Sequence, residues 1–187
     1  MKRFKKMLAS FICVLFKRFI KDKKYSEYND KDFYDFILDA KDNKIPDNSI
    51  FVLKESLDSI LSSEISKLVG FDVSGFKNII EPSEIRHIIK EHGENGTSDK
   101  SMRDLHNLAK ISYIIENWDR VELGKGSKKY KNRDNSKAKT IVIQKKIEDN
   151  YYYVVEAVPN NARKNIYVVS AYINKNDTLS NVVVHKP

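Results

Sequence analysis

The apolar positions of this chain change period along its length. From Phe4 to Ile20 they recur at helical spacing, with Phe4, Leu8, Phe11, Leu15 and Phe19 on one stripe and Met7, Ile12, Phe16 and Ile20 beside it. Helical spacing returns in DFYDFILDA (32–40), in Leu57 to Val69, in EIRHIIKEHG (84–93) and in Met102 to Glu116. From residue 140 the period becomes two and predicts three strands, 140–147, 151–158 and 166–173. The connections EDN and PNNARKN are short enough to make these strands an antiparallel meander. Ile50 to Leu53 and the residues near Val121 read as short strands, and FDVSGFKNII (71–80) reads as irregular.

Punctuation supports the helices. Ser56 is the expected N-cap and Gly70 the stop of the helix ending at Val69. Pro82 and Ser83 open the histidine helix and Gly93 ends it. Helices first and strands last predict an α+β domain, its helices packed on one face of a C-terminal antiparallel meander. The chain divides into a basic amphipathic helical arm (1–24), an acidic helix and linker (25–49), a main domain (50–175) and a C-terminal tail (176–187).

Strand parity assigns faces. Tyr153, Val155 and Ala157 oppose Tyr152, Val154 and Glu156, and Ile141 and Ile143 oppose Gln144 and Lys146. On the last strand Tyr167, Val169, Ala171 and Ile173 form one row, and Ile166, Val168, Ser170 and Tyr172 the other. The polar face then carries Lys146, Glu156, Ser170 and Tyr172. A hairpin bulge would exchange Lys146 for Lys145.

Charge changes the picture only once it is divided. The net charge is +8, and residues 1–24 alone hold nine Lys/Arg against one Asp, so the rest of the chain is neutral. A high overall pI therefore does not argue that the folded domain binds nucleic acid. The arm's uncharged, mostly apolar run, Met7 to Phe16, is about half the length of a membrane span. Three readings stay open for it: a helix lying on an anionic membrane surface, a helix packed on the domain, or an export signal. The first places the protein in the bacterial cytoplasm, peripheral to the inner membrane. One cysteine, Cys13, excludes an internal disulfide and a cysteine-based zinc site.

The candidate chemistry lies in the histidine helix and the polar strand face. A cluster of His87, His92, Glu156, Lys146, Ser170 and Tyr172 suits RNA cleavage without a metal or other cofactor. That reaction needs a base for the 2′-OH, an acid for the leaving 5′-oxygen and donors for the phosphorane charge. Each residue also has a structural reading. His87 fits a structural mid-helix histidine, His92 a cation at a helix C-terminus, and Glu156 with Lys146 an ordinary cross-strand pair. The two histidines lie about 140° apart around an ideal helix, so they cannot both address one atom without unwinding. The i, i+5 spacing is also poor for a shared metal ion.

The order of several segments carries a resemblance: IFVLKES (50–56), FDVSGFKNII (71–80), EIRHIIKEHGENG (84–96), DKSMRDLHNLAKISYIIENWD (99–119), KNRDNSKAK (131–139), and the pair YYYVVEAVP (151–159) and YVVSAYINK (167–175). Over residues 50–175 the chain resembles the phage-associated nucleases of the barnase–EndoU–colicin–RelE superfamily. The resemblance implies an α+β nuclease domain and metal-independent ribonuclease activity. It carries site positions onto Arg86, His87, His92, Glu156, Ser170 and Tyr172, with Arg133 as a further phosphate ligand. The function expected is an endoribonuclease, phage-associated or toxin-like, acting on RNA such as tRNA and met by an immunity or antitoxin protein. The alternative is a non-catalytic RNA- or protein-binding module of the same fold, tethered to a membrane by its basic arm.

Overall fold

The computed structural model describes residues 25, 27–127, 129, 130, 137–148, 151–175, 184 and 185. The arm 1–24 and Arg133 lie outside them. The elements are α1 (Lys31–Lys41), β1 (Phe51–Lys54), α2 (Ser59–Val69), β2 (Lys77–Ile80), α3 (Pro82–His92), α4 (Leu105–Leu108), α5 (Ile111–Glu116), β3 (Arg120–Leu123), β4 (Ile141–Glu148), β5 (Tyr151–Asn160), β6 (Asn165–Asn174) and β7 (Val184–His185). Among the described residues no helix is long and apolar enough to cross a membrane.

The strands form one sheet in the order β1-β2-β6-β5-β4-β3-β7. β4, β5 and β6 are the antiparallel meander that their alternation and short turns predict. The protein is α+β, and its helices supply one wall of the core. Phe33 and Ile37 of α1, Leu61 and Ile65 of α2, and Ile85 and Ile88 of α3 pack against Ile143, Tyr153, Val155, Ala157, Val168 and Ala171 of the sheet. Burying each large apolar side chain contributes about 1.5–3 kcal/mol. Ile85 and Ile88 therefore fix the roll of α3, which decides what its other stripe faces.

Four local expectations are corrected. FDVSGFKNII ends in β2, which pairs in parallel with β6. Lys77, Asn78 and Ile79 gain strand geometry from a partner far along the chain, which local pattern does not reveal. The N-cap of α2 is Asp58, whose Oδ1 accepts from Ile60 N at 2.9 Å and Leu61 N at 2.8 Å. A carboxylate at this position also meets the positive end of the helix dipole. The helix predicted from Met102 to Glu116 is two short ones, α4 and α5. At their junction the Asn107 carbonyl accepts from Lys110 N at 3.2 Å, a tight i, i+3 turn, and from the buried Tyr153 hydroxyl at 2.6 Å.

The fourth correction concerns β6. Glu156 pairs with Ser170 and Ala157 with Val168, so Val169 is bulged out of register. The bulge inverts parity: Ile166 and Val168 lie in the core with Ala171, whereas Ser170 and Tyr172 keep the opposite face. The irregularity in the β4–β5 hairpin falls between Lys146 and Glu148, and Lys146 keeps its place opposite Tyr152.

Candidate active site

α3 is amphipathic on a helical period, and this builds the first wall of a groove. Ile85 and Ile88 go to the core, which leaves Glu84, His87 and Glu91, at i, i+3 and i+7, on one stripe facing the sheet edge. Pro82 starts the helix where its missing N–H costs nothing. The second wall is the β5–β6 ladder, where Glu156 and Ser170 stand directly opposite one another beside the bulged Val169. The cavity between these walls has a volume of about 540 Å³.

The third wall is the start of the basic loop after β3. Gly126 adopts φ 82°, a left-handed turn that a side chain would strain, and its N–H donates to Thr140 Oγ1 at 3.0 Å. Ser127 Oγ then accepts from Lys129 N at 3.2 Å and Tyr130 N at 2.9 Å, which shapes the next turn. The result brings Lys129 Nζ onto Glu84 Oε1, and Tyr130 Oη donates to the same oxygen at 3.0 Å. Glu84 is buried, so these two donors satisfy a carboxylate that would otherwise be costly. Burial, followed by the Glu84 charge, pushes the Tyr130 phenol well above its ordinary range and keeps it protonated.

A second cluster joins the groove from the side. The His92 ring stacks on Tyr172 with centroids 5.1 Å apart, and Tyr172 Oη donates to Glu156 Oε1 at 3.2 Å. His92 Nδ1 lies 2.7 Å from Asp99 Oδ2, a contact that fixes the ring's orientation and leaves Nε2 for other work. The turn that supplies Asp99 is pinned at both ends. Met102 N donates to His92 O at 2.7 Å, and Ile173 N donates to Ser101 Oγ at 3.0 Å. Burial pushes the Asp99 carboxyl up. The backbone N–H and hydroxyl of Ser101, with His92, outweigh it and hold Asp99 below the usual carboxylate range. Hydrogen bonds from Ser98 and Thr97 lower Glu91 in the same way. Burial first, and then the Glu156 charge, raises the Tyr172 phenol far above its ordinary value, so it remains a donor at neutral pH.

The groove thus sets an imidazole and a carboxylate across from each other beside a hydroxyl and an ammonium group. The family model described as phage-Barnase-EndoU-ColicinE5/D-RelE like nuclease3 matches residues 55–181, which include every wall of this groove. The chain belongs to this nuclease family. No curated protein and no solved structure matches it. Membership implies a nucleic acid as the substrate, which is the ligand class a groove of donors and proton-transfer groups would take.

In this nuclease the structure unites most of the residues singled out by sequence. His87, Glu156 and Ser170 line the groove, and Tyr172 and His92 adjoin it through the Tyr172–Glu156 hydrogen bond. Arg86 is placed elsewhere. Its guanidinium donates to the Ala40 carbonyl at 2.9 Å and pairs with Asp47, on the α1 side of α3. Lys146 shares the outer sheet face but borders a separate pocket with Arg120, Gln144 and Tyr152. It is not paired with Glu156, which stands opposite Val142. Among the described residues no group of three or more His, Cys, Asp or Glu is arranged to hold a metal ion. Sequence reading missed Glu84, Glu91, Asp99, Lys129 and Tyr130. Glu84 and Glu91 were open to detection, since they share the helical stripe of His87.

Proposed function

We propose that this nuclease is an endoribonuclease that cleaves by attack of the 2′-OH on the adjacent phosphate. The observation supporting this is that His87 and the Glu156–Ser170 pair face one groove from opposite walls. In the proposed reaction Glu156 accepts the 2′-OH proton as the 2′-oxygen bonds to phosphorus. The bond to the 5′-oxygen breaks, and His87 protonates that oxygen. The products are a 2′,3′-cyclic phosphate and a 5′-hydroxyl. Ser170 and Lys129 bind the phosphate oxygens, where charge develops in the transition state. Tyr172 holds Glu156 in place through its hydrogen bond, and the Asp99–His92 pair supports the Tyr172 ring. In the same proposal the basic arm, residues 1–24, attaches the domain to an anionic membrane surface.

Every group in this scheme belongs to the chain. The test is incubation of the purified protein with total RNA, with and without a chelator, followed by analysis of the ends. Cleavage giving cyclic phosphate ends, equal in both conditions, supports the proposal. Intact RNA after incubation with folded protein would favour a non-catalytic nucleic-acid-binding module instead.

A further inference from the structure

The second pocket on the outer sheet face carries an inference beyond the cleavage step. It is a cavity of about 280 Å³ bordered by Asp119, Arg120, Gln144, Lys146 and Tyr152. Its position relative to the groove is set by strand register. Arg120, Gln144, Val154 and Tyr172 stand opposite one another in a single row across β3, β4, β5 and β6. The adjacent row is Glu122, Val142, Glu156 and Ser170. Gln144 is therefore the diagonal neighbour of Glu156, about 7–8 Å away by the spacing of such pairs.

Gln144 is unusual for its place. It is 1% exposed, and among the described residues neither Oε1 nor Nε2 has a hydrogen-bond partner. Leaving two buried amide atoms unpaired is costly, and a similarly sized apolar residue would avoid that cost. The groups around it are those that hold a nucleotide. The Arg120 guanidinium lies over the Tyr152 ring, 5.9 Å from its centroid, and Lys146 follows Gln144 on the same face of β4. Asp119 is occupied as a support: its Oδ2 accepts from Lys146 N at 2.8 Å, and its Oδ1 lies 3.7 Å from Lys145 Nζ.

We infer that this pocket is a nucleobase subsite, in which Gln144 reads the edge of the base next to the scissile phosphate. The inference rests on the reading that the neighbouring groove takes RNA. A carboxamide offers one donor beside one acceptor, and adenine presents the matching pair, N7 and N6–H₂. Adenine is accordingly the preferred base. Tyr152 and Arg120 move apart to admit it, the ring stacks on the base, and Lys146 meets the flanking phosphate.

Two measurements on the full chain test this. The first maps the ends left on a pool of short RNAs of mixed sequence. Adenine is expected to be enriched beside the cut, and Gln144→Leu should reduce the preference by about 5- to 150-fold. The second measures binding of intact oligo-deoxyadenylate and oligo-deoxythymidylate by fluorescence anisotropy, which needs no cleavage. The wild type should favour the adenine strand, Gln144→Leu should bind both alike, and Tyr152→Leu should weaken both. Gln144→Leu should also melt at or above the wild-type Tm, because two unpaired buried atoms are gone. Equal binding of both strands by the wild type, a base preference kept in Gln144→Leu, or a lower Tm for that variant would overturn the subsite. Base-selective binding without any cleavage would uphold the subsite and overturn the nuclease mechanism alone.

Discussion

Tyr172 donates its phenolic hydrogen to Glu156 Oε1 across the β5–β6 ladder, at 3.2 Å. The two residues are not direct partners, since Glu156 stands opposite Ser170 and Tyr172 opposite Val154. The bond is diagonal, and it couples the groove to the His92 stack. Tyr172→Phe keeps the stack and removes only the donor. Loss of one hydrogen bond to a charged group should lower kcat/KM by about tenfold or more. Because burial and Glu156 raise the phenol far above its ordinary value, Tyr172 does not titrate in the working range. The alkaline limb of the pH–rate profile should therefore stay in place in Tyr172→Phe. A limb that moves would show that Tyr172 transfers a proton.

Asp99 links stability to pH. Its folded carboxyl sits below the ordinary value, despite burial, because Ser101 and His92 favour the charged form. A depressed carboxyl contributes stability that is fully present above the unfolded value, near pH 4, and is lost as pH falls through the lower folded value. The wild type should thus exceed Asp99→Asn in Tm at pH 6, and the gap should close toward pH 3. The side chain is 40% exposed, so solvent screening limits this contribution to about 1 kcal/mol. Urea denaturation of both proteins across this pH range measures it.

Arg86 is a carried-over site position that lies outside the groove. Its guanidinium ties α3 to the end of α1 through Ala40 O and Asp47. Arg86→Ala should cost about 1–2 kcal/mol of stability, by loss of charge-assisted hydrogen bonds. It should leave kcat/KM within about twofold, since nothing in the groove is removed. Thermal melting and initial rates on one RNA check both statements.

How far the sequence revealed this site depends on the range of each contact. Helix α3 was legible because its Pro82 start, its Gly93 stop and its apolar stripe are all local. The facing of Glu156 toward Ser170 followed from alternation along two strands joined by a short turn. The Val169 bulge did not, because an extra residue is absorbed only where two strands meet. Parity alone put Ile166 and Val168 on the polar face, and pairing moves them to the core. β2 escaped notice because its parallel partner lies beyond residue 160. Asp99 and Lys129 reach His92 and Glu84 from loops that carry no periodic signal. Arg86 shares its helix with His87, but one step around that helix turns it toward α1.

The arm yields a prediction from charge alone. Residues 1–24 hold the entire +8 excess interleaved with a helical apolar stripe. The full chain should sediment with anionic vesicles, and the bound fraction should fall as salt rises, because screening weakens lysine–lipid attraction. A variant beginning at residue 25 should remain in the supernatant. Equal sedimentation of the two proteins would remove the arm from the account.

The central claim is that the 2′-OH of the substrate is the nucleophile, activated within the groove of His87, Glu156 and Ser170. The most direct measurement uses an oligoribonucleotide cleaved at one bond, beside the same strand with a single 2′-deoxy sugar at that position. The native strand should yield a 2′,3′-cyclic phosphate at an equal rate with and without chelator, and the substituted strand should stay intact. His87→Ala and Glu156→Gln should slow the native reaction by about 10²–10⁴-fold while their melting remains cooperative. Cleavage of the 2′-deoxy strand at the substituted position by the wild-type protein would contradict the account.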